Sequence, residues 1–531
     1  EYAEIGVQRT RAADEMAYLD RRKSHLDGEI EAAQELLDRI TKNQINQLKP
    51  HNERLLAEAD QLRREVEDLS GELDRKKADL DEMKQAIEKA AMESAAAAAV
   101  GGATIQLPEE ALSVAIKEMP DNTLKQKNVD KLSAFRSKPD CLSGYEKIFT
   151  DSDEDDLLSR FEKELKGVGL QYPSRIVRAF HTALKVNDLS PLTVLSGLSG
   201  TGKSQLPRAY ARFFGIHFLH VPVEPGWDSP QDLLGFYDFV AERYRPTDRA
   251  RALGYFDRQF AKDIGIEDDC NWDERMLIIL LDEMNLARTE YYFSEFLSRL
   301  EMRGLRKNGD QIDEGRRDAR IAIDLPYAEG EPPRHLYIPH NVLWVGTLNE
   351  DETTQALSDK VLDRANSIRF APPDPGTLRK HSEAPKGGIK PADGYLSYEK
   401  WLEWSNRGTT AKAGDGQVEK TLGVLAEAMQ ETGRGFGYRI VQSIMAYIER
   451  YPGRDWRKPM VDQINMRLLP KLAGAEMNNE CRDSLKKLKE LCDQDLGDPY
   501  FADSLQRAVT ASEATQIFTW SGYTYEENRN D

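Results

Sequence analysis

The chain has 531 residues and a net charge of −19, from 92 acidic against 73 basic side chains. That length allows about three domains at roughly 150 residues each, and that charge excludes a dominant non-specific grip on nucleic acid, which needs clustered Lys and Arg. Four scattered cysteines (Cys141, Cys270, Cys481 and Cys492) with no CxxC spacing point to a reducing, cytoplasmic setting, and no apolar run or leading signal points to a membrane.

In chain order, residues 1–94 read as a long α-helical coiled coil. Met16, Leu19, Leu26, Ile30, Ala33, Leu37 and Ile40 follow alternating three- and four-residue steps, with Lys23 in one slot. A second register runs through Ile45, Leu48, Leu55, Ala59, Leu62, Val66, Leu69, Leu73, Leu80, Met83 and Ile87. The registers slip by one residue just before Pro50, which lacks a backbone donor, so the coil either kinks there or folds back as a hairpin. A coil of this length implies a coiled-coil partner. Gly101-Gly102 ends it. Residues 95–154 read as a connector with one helix over 109–118. The acidic run 150–156 reads as a solvated helix cap rather than a metal site.

Residues 155–375 alternate between helix and strand, the pattern of a doubly wound α/β core. Helices over 157–165 and 173–185 lead into the apolar run Leu192-Thr-Val-Leu-Ser196. Gly197-Leu-Ser-Gly-Thr-Gly-Lys203-Ser204 and a helix over 205–214 follow. Strand, glycine loop and helix make the P-loop context. Gly197, Ser199, Gly200, Thr201 and Gly202 let backbone N–H groups converge on phosphate oxygens. Lys203 reaches the β- and γ-phosphates, and Ser204 can hold Mg²⁺. A second buried-strand run, Met276-Leu-Ile-Ile-Leu-Leu281, ends in Asp282-Glu283. This is a Walker B pattern, in which Asp282 supports the Mg²⁺ shell and Glu283 polarises a water. The two patterns together predict an NTP-hydrolysing domain.

Residues 303–320 carry Arg303, Arg306, Lys307, Arg316, Arg317 and Arg320 among Asp310, Asp313, Glu314 and Asp318. Either a pore loop touching DNA phosphates or a solvated mixed-charge hairpin fits, and the acids favour the hairpin. Trp344-Val-Gly-Thr-Leu-Asn349 is a strand with a polar end, and Val361-Leu-Asp-Arg364 reads as helical. Residues 376–416 read as a loop with a short helix over 397–405. Residues 417–512 read as a helical lid and C-terminal domain, with a helix opening at Gly435-Phe-Gly-Tyr-Arg439, and 513–531 as a tail with a strand or turn over 516–525. Trp227 is expected in a core or interface, Asp232 as a cap, and Arg288 either as a contact to a neighbouring subunit or as an interface ion pair.

The order of these phrases resembles the McrB-like branch of the AAA+ NTPases, the motors of modification-dependent restriction systems. The shared stretches are Ser196-Gly-Leu-Ser-Gly-Thr-Gly-Lys-Ser204, Pro225-Gly-Trp-Asp-Ser-Pro-Gln-Asp-Leu-Leu-Gly235 and Leu281-Asp-Glu-Met-Asn-Leu-Ala-Arg288. Gly346-Thr-Leu-Asn-Glu-Asp-Glu-Thr-Thr354, Leu357-Ser-Asp-Lys-Val-Leu-Asp-Arg364, Gly437-Tyr-Arg439 and Ile464-Asn-Met-Arg-Leu-Leu-Pro-Lys-Leu472 complete the set. The resemblance covers residues 155–475 and leaves out the coil.

It implies an AAA+ P-loop core with a helical lid, hydrolysing ATP or GTP with Mg²⁺. In that frame Glu283 activates the water, and Asn349 (sensor 1) orients it. Arg364 is an arginine finger reaching a neighbour's γ-phosphate, and Arg439 (sensor 2) reports the nucleotide state from the lid. It further implies a hexameric ring, a separate McrC-like nuclease and DNA as a candidate ligand. The branch's Asn-x-x-Asp-Arg signature is changed here, since Asn349 is followed by Glu350, Asp351, Glu352 and Thr353. That departure favours ATP while leaving GTP open. A remodeller of protein complexes, related to MoxR or dynein, is the alternative.

Overall fold

The computed structural model describes residues 131–149, 153–303, 318–327, 333–350, 357–370, 387–406, 416–453, 455–520 and 522–523. The coiled coil expected over 1–94 lies outside them, as do 304–317 and Glu352. The chain divides into two units, 1–119 and 120–531, and every described residue belongs to the second.

Among the described residues nine strands form in chain order: β1 (Leu192–Gly197), β2 (His217–Pro222), β3 (Gly235–Asp238), β4 (Arg243–Pro246), β5 (Leu277–Asp282), β6 (Arg320–Ala322), β7 (His335–Tyr337), β8 (Val342–Asn349) and β9 (Ala365–Phe370). Five build one sheet in the order β2-β5-β8-β1-β9, and every neighbouring pair is parallel. Strands buried on both faces read as unbroken apolar runs rather than alternating ones. Thus Leu277 to Leu281 of β5 are all fully buried. The pleat still sorts them: Ile278 and Leu280 join one core with Leu195, Leu343 and Val345, while Leu277, Ile279 and Leu281 join the other with Leu192, Val194 and Trp344.

Helices α1 (Glu154–Gly167), α2 (Ser174–Lys185) and α3 (Gln205–Phe214) contribute to the first core. Asp153 caps α1 by accepting the Asp156 N–H at 2.9 Å. The next residue departs from the expected solvated cap. Glu154 is buried, and its Oε1 accepts from Lys185 Nζ and from His181 Nε2 (2.8 Å). His181 Nδ1 lies 2.6 Å from the Tyr210 hydroxyl. Burial drives the Glu154 carboxyl up, but the His181 hydrogen bond and the Lys185 charge outweigh it and hold it at about 2. Burial, aided by Lys185, lowers His181 to about 4. The ring is therefore neutral near pH 7, donating from Nε2 to Glu154 and accepting at Nδ1 from Tyr210. This network bolts α1 and α2 to the helix that follows the P-loop.

The second core holds α4 (Asp248–Phe256), α5 (Arg258–Ile264) and α6 (Ser294–Met302). Two tracts that read as connectors are part of the fold. Phe135 is fully buried between Tyr244 and Phe260. Tyr395 exchanges backbone hydrogen bonds with Lys147 and Phe149, each 2.7 Å. Trp401 and Trp404, on α7 (Tyr398–Ser405), bury their rings beside His181. Arg303 is likewise buried, donating to the carbonyls of Leu300, Ile338, Pro339 and Asn187, so it is not available to a phosphate-binding loop.

The C-terminal region is helical, with α8 (Gln417–Glu431), α9 (Tyr438–Arg450), α10 (Arg457–Gln463), α11 (Asn479–Glu490) and α12 (Pro499–Thr515). A π-turn, Ile464–Leu468, widens the chain after α10 and carries Arg467. That buried guanidinium donates to Ser190, to Asn366 Oδ1 (3.0 Å) and to the Asp363 carbonyl (3.3 Å), tying the helical region to the N-terminal ends of the neighbouring strands β1 and β9. Past α12 the chain returns to the core, with Phe518, Trp520 and Tyr523 buried. Among the described residues, no helix is long and apolar enough to cross a membrane.

Candidate functional site

Register brings the glycine loop, Asp282, Glu283 and Asn349 to one edge of the sheet. Gly197 of β1 pairs with Asn349 of β8, and Leu281 of β5 pairs with Gly346, so the loop after β1, the carboxylates after β5 and the end of β8 meet at the C-terminal edge. In open parallel sheets that edge, where the strand order reverses, is where ligands bind.

The loop itself is built around its cation. Lys203 is buried and donates to the carbonyls of Gly197 (2.9 Å) and Leu198 (2.6 Å). Thr201 braces the loop through its hydroxyl, which donates to Leu198 O at 2.9 Å. Gly202 has φ +87°, and a Cβ there would meet the Tyr172 hydroxyl at 2.6 Å. That hydroxyl donates to the Gly202 carbonyl (2.8 Å), so only glycine fits the position. Ser199 and Gly200 are exposed ahead of α3, whose N-terminal dipole favours an anion although the Gln205 and Leu206 N–H groups donate to the Gly202 carbonyl (3.0 and 3.2 Å).

Asp282 receives three donors. Ser204 Oγ and Thr347 Oγ1 each donate to Oδ1 at 2.6 Å, and His220 Nε2 lies 2.8 Å from Oδ2. Burial pushes this carboxyl up, but the three partners outweigh it and hold it below the usual carboxylate range. Asp282 is therefore ionised at neutral pH. A serine hydroxyl beside an ionised carboxylate is the hard-oxygen set that Mg²⁺ takes, so Ser204 and Asp282 fit that ion.

Glu283 follows with φ +54°, a left-handed backbone at a residue with a full side chain. Such a conformation costs on the order of 1 kcal/mol and persists only where the surroundings enforce it. Its Oε1 accepts from Asn349 Nδ2 at 2.8 Å. The Asn349 carbonyl accepts from Asn285 Nδ2 at 2.9 Å. The carboxylate is half-buried, next to a fixed amide, which suits a base that takes a proton from water.

Arg364 and Arg439 form a separate group around Glu301. Both donate to its Oε1, from 2.8 and 2.7 Å. Arg364 lies past the helix expected for it, which spans Asp359–Leu362, in the turn that starts β9. Arg439 lies in the first turn of α9 and is more than half exposed. Of the neighbouring residues, Trp227 is buried under the Arg249 guanidinium. Asp232 accepts the backbone N–H groups of Asp228 and Ser229. Arg288 is exposed and bonded to the Tyr291 hydroxyl.

Thr347, His220, Glu301 and Tyr172 escape the sequence reading. Thr347 carried a signal, since it stands two residues before Asn349 and residues at that spacing share a strand face. His220 and Glu301 carried none, because their partners are distant in the chain.

Residues 390–517 match a family described as a domain of unknown function, DUF8727, which takes in the helical region and Arg439. No curated protein matches the chain. Among solved structures, a candidate ATPase from Cytophaga hutchinsonii ATCC 33406 aligns at 14% identity over 59% of this chain and 89% of its own, with a TM-score of 0.35. The chain thus joins a five-stranded parallel α/β sheet, a glycine loop after β1, an acidic pair at the end of β5 and a helical C-terminal region.

Proposed function

We propose that this chain is a ring-forming AAA+ NTPase that hydrolyses ATP or GTP, with ATP favoured by the altered run after Asn349. One observation carries the reading: Ser204, Asp282, Thr347, Glu283 and Asn349 form one continuous hydrogen-bonded set beside a buried P-loop lysine. The triphosphate lies along the loop N–H groups and the α3 N-terminus, and it offers Lys203 stronger acceptors than the loop carbonyls it now holds. Ser204 and Asp282 would hold Mg²⁺, which would supply charge neutralisation for the triphosphate. Asn349 and Glu283 hold the attacking water. Its oxygen bonds to the γ-phosphorus, the bond to the β-phosphate oxygen breaks, and its proton passes to the Glu283 carboxylate. Arg364 of an adjacent copy offsets the charge on the transferring phosphoryl group, and Arg439 adds to that positive face. The test is steady-state turnover of ATP and GTP, with Lys203→Ala as the control. Turnover of neither, or equal turnover by the variant, overturns the reading.

The ordered phrases of the McrB-like branch support a motor for a restriction or antiviral defence complex, working with a separate nuclease as a hexamer. Turnover raised by DNA and by a co-purifying nuclease is the expected result. A protein remodeller is favoured by a different observation: the β3–β4 hairpin carries an apolar tip, with Phe239 77% and Val240 97% exposed, suited to gripping polypeptide. Turnover raised by protein and indifferent to DNA decides for that reading.

A further inference from the structure

We propose that Thr347 is a positioning residue that sets both carboxylates of the site through a single hydroxyl. The inference rests on the NTPase reading above. The Thr347 Oγ1–H donates to Asp282 Oδ1 at 2.6 Å, and the same oxygen accepts the backbone N–H of Glu283 at 2.8 Å. A hydroxyl has one proton to give and lone pairs to receive, so one atom serves both neighbours. The Thr347 carbonyl accepts the Met284 N–H at 2.9 Å. Just before it, a Cβ on Gly346 would fall 2.1 Å from Met284 Sδ, so the Met284 side chain occupies that space.

The turn 282–284 is thus fastened to β8 through a side chain, a carbonyl and a packed sulfur. These ties enforce the left-handed backbone at Glu283. Asn349, two residues further along the same face, meets the Glu283 carboxylate. Thr347 therefore fixes the backbone of the residue whose side chain Asn349 holds. Removing the hydroxyl leaves the Glu283 N–H without its acceptor and takes one donor from Asp282. The Lys203 contacts and the P-loop N–H groups do not depend on it, so nucleotide binding and the chemical step separate.

The experiment compares full-length wild type, Thr347→Val and Thr347→Ser, with Glu283→Gln as the reference for loss of the base. Steady-state ATP and GTP turnover, Kd for a fluorescent ATP analogue, and thermal unfolding are measured together. Thr347→Val is expected to lower kcat roughly 100-fold, the cost of misplacing a catalytic group by about 1 Å, with KM and Kd within about threefold. Thr347→Ser, which restores the hydroxyl, is expected within about threefold of wild type. If Thr347→Val does not fold, Thr347→Ala reads the same hydroxyl without the branched side chain. A Val variant that keeps its kcat, one that loses binding in parallel with kcat, or a Ser variant as poor as Val overturns the inference and leaves the NTPase reading standing. A folded wild type that turns over neither nucleotide overturns both.

Discussion

Arg364 and Arg439 end on the same carboxylate oxygen, Oε1 of Glu301, at 2.8 and 2.7 Å. One comes from the turn before β9 and the other from helix α9 of the C-terminal region, so the sheet and the helical region share one counter-charge. Two guanidiniums against one carboxylate leave a net positive patch, the charge an anionic phosphoryl group seeks. Arg467 holds the backbone one residue before Arg364 through the Asp363 carbonyl, so a movement of the helical region reaches Arg364 directly. The first prediction follows from this arrangement. Arg364→Ala lowers turnover by about 1,000-fold, the scale of a lost arginine finger, with nucleotide Kd within about threefold. Phosphate release and a binding titration check it; an unchanged kcat contradicts it.

Glu283→Gln preserves the shape that Asn349 holds but removes the base. It lowers kcat by roughly 100- to 10,000-fold while the protein still binds nucleotide. Retention of labelled ATP on the variant, assayed beside its turnover, is the check. A variant that turns over as wild type does would mean that Glu283 is not the proton acceptor.

Much of this arrangement was legible in the sequence, and the failures have physical causes. The β1 and β5 runs are unbroken because both faces are covered, and each ends on a chemical landmark, Gly197 or Asp282. The tract 376–416 reads as a loop with a short helix over 397–405 because it is rich in Gly, Lys and Pro. Trp401 and Trp404, spaced one helical turn apart, carried the contrary signal of a buried face. Glu154 stands in an acidic run, and nothing local shows that Lys185 and His181 will draw it inward. Arg364 reads as helical because Val361 and Leu362 suit a helix, but β9 must begin at Ala365, so the chain turns instead.

Breaking the buried Glu154 network tests what fastens α1 to α2. Glu154→Gln removes the carboxylate that the buried Lys185 and His181 share, and breaking a buried ion pair costs about 3–5 kcal/mol. Denaturant unfolding measures it. A loss below about 1 kcal/mol, the scale of a surface ion pair, contradicts the assignment.

Acid sensitivity follows from His181 in this network and from His217, which lies against Cys141, Arg275 and Trp272. Burial first, then the Lys185 charge, holds His181 at about 4, and burial with the Arg275 charge holds His217 at about 4. Unfolding returns both toward 6.5, so the unfolded chain binds more protons between those values. The stability is whole above about pH 6.5 and falls as the pH drops toward 4, by up to about 1.4 kcal/mol per pH unit for each histidine. Glu154, held at about 2, adds a second loss below its ordinary 4.5. Denaturant midpoints at pH 8, 6.5 and 5 measure this, and a flat profile contradicts it.

The most direct measurement mixes two dead variants. Glu283→Gln keeps its arginine and loses its base; Arg364→Ala keeps its base and loses its arginine. If one copy's arginine completes the next copy's site, co-assembled equimolar protein recovers about a quarter of wild-type turnover, since random order around a head-to-tail ring joins an intact base to an intact arginine at about one junction in four. A co-assembled mixture as inactive as its two components would contradict a site completed by a neighbour.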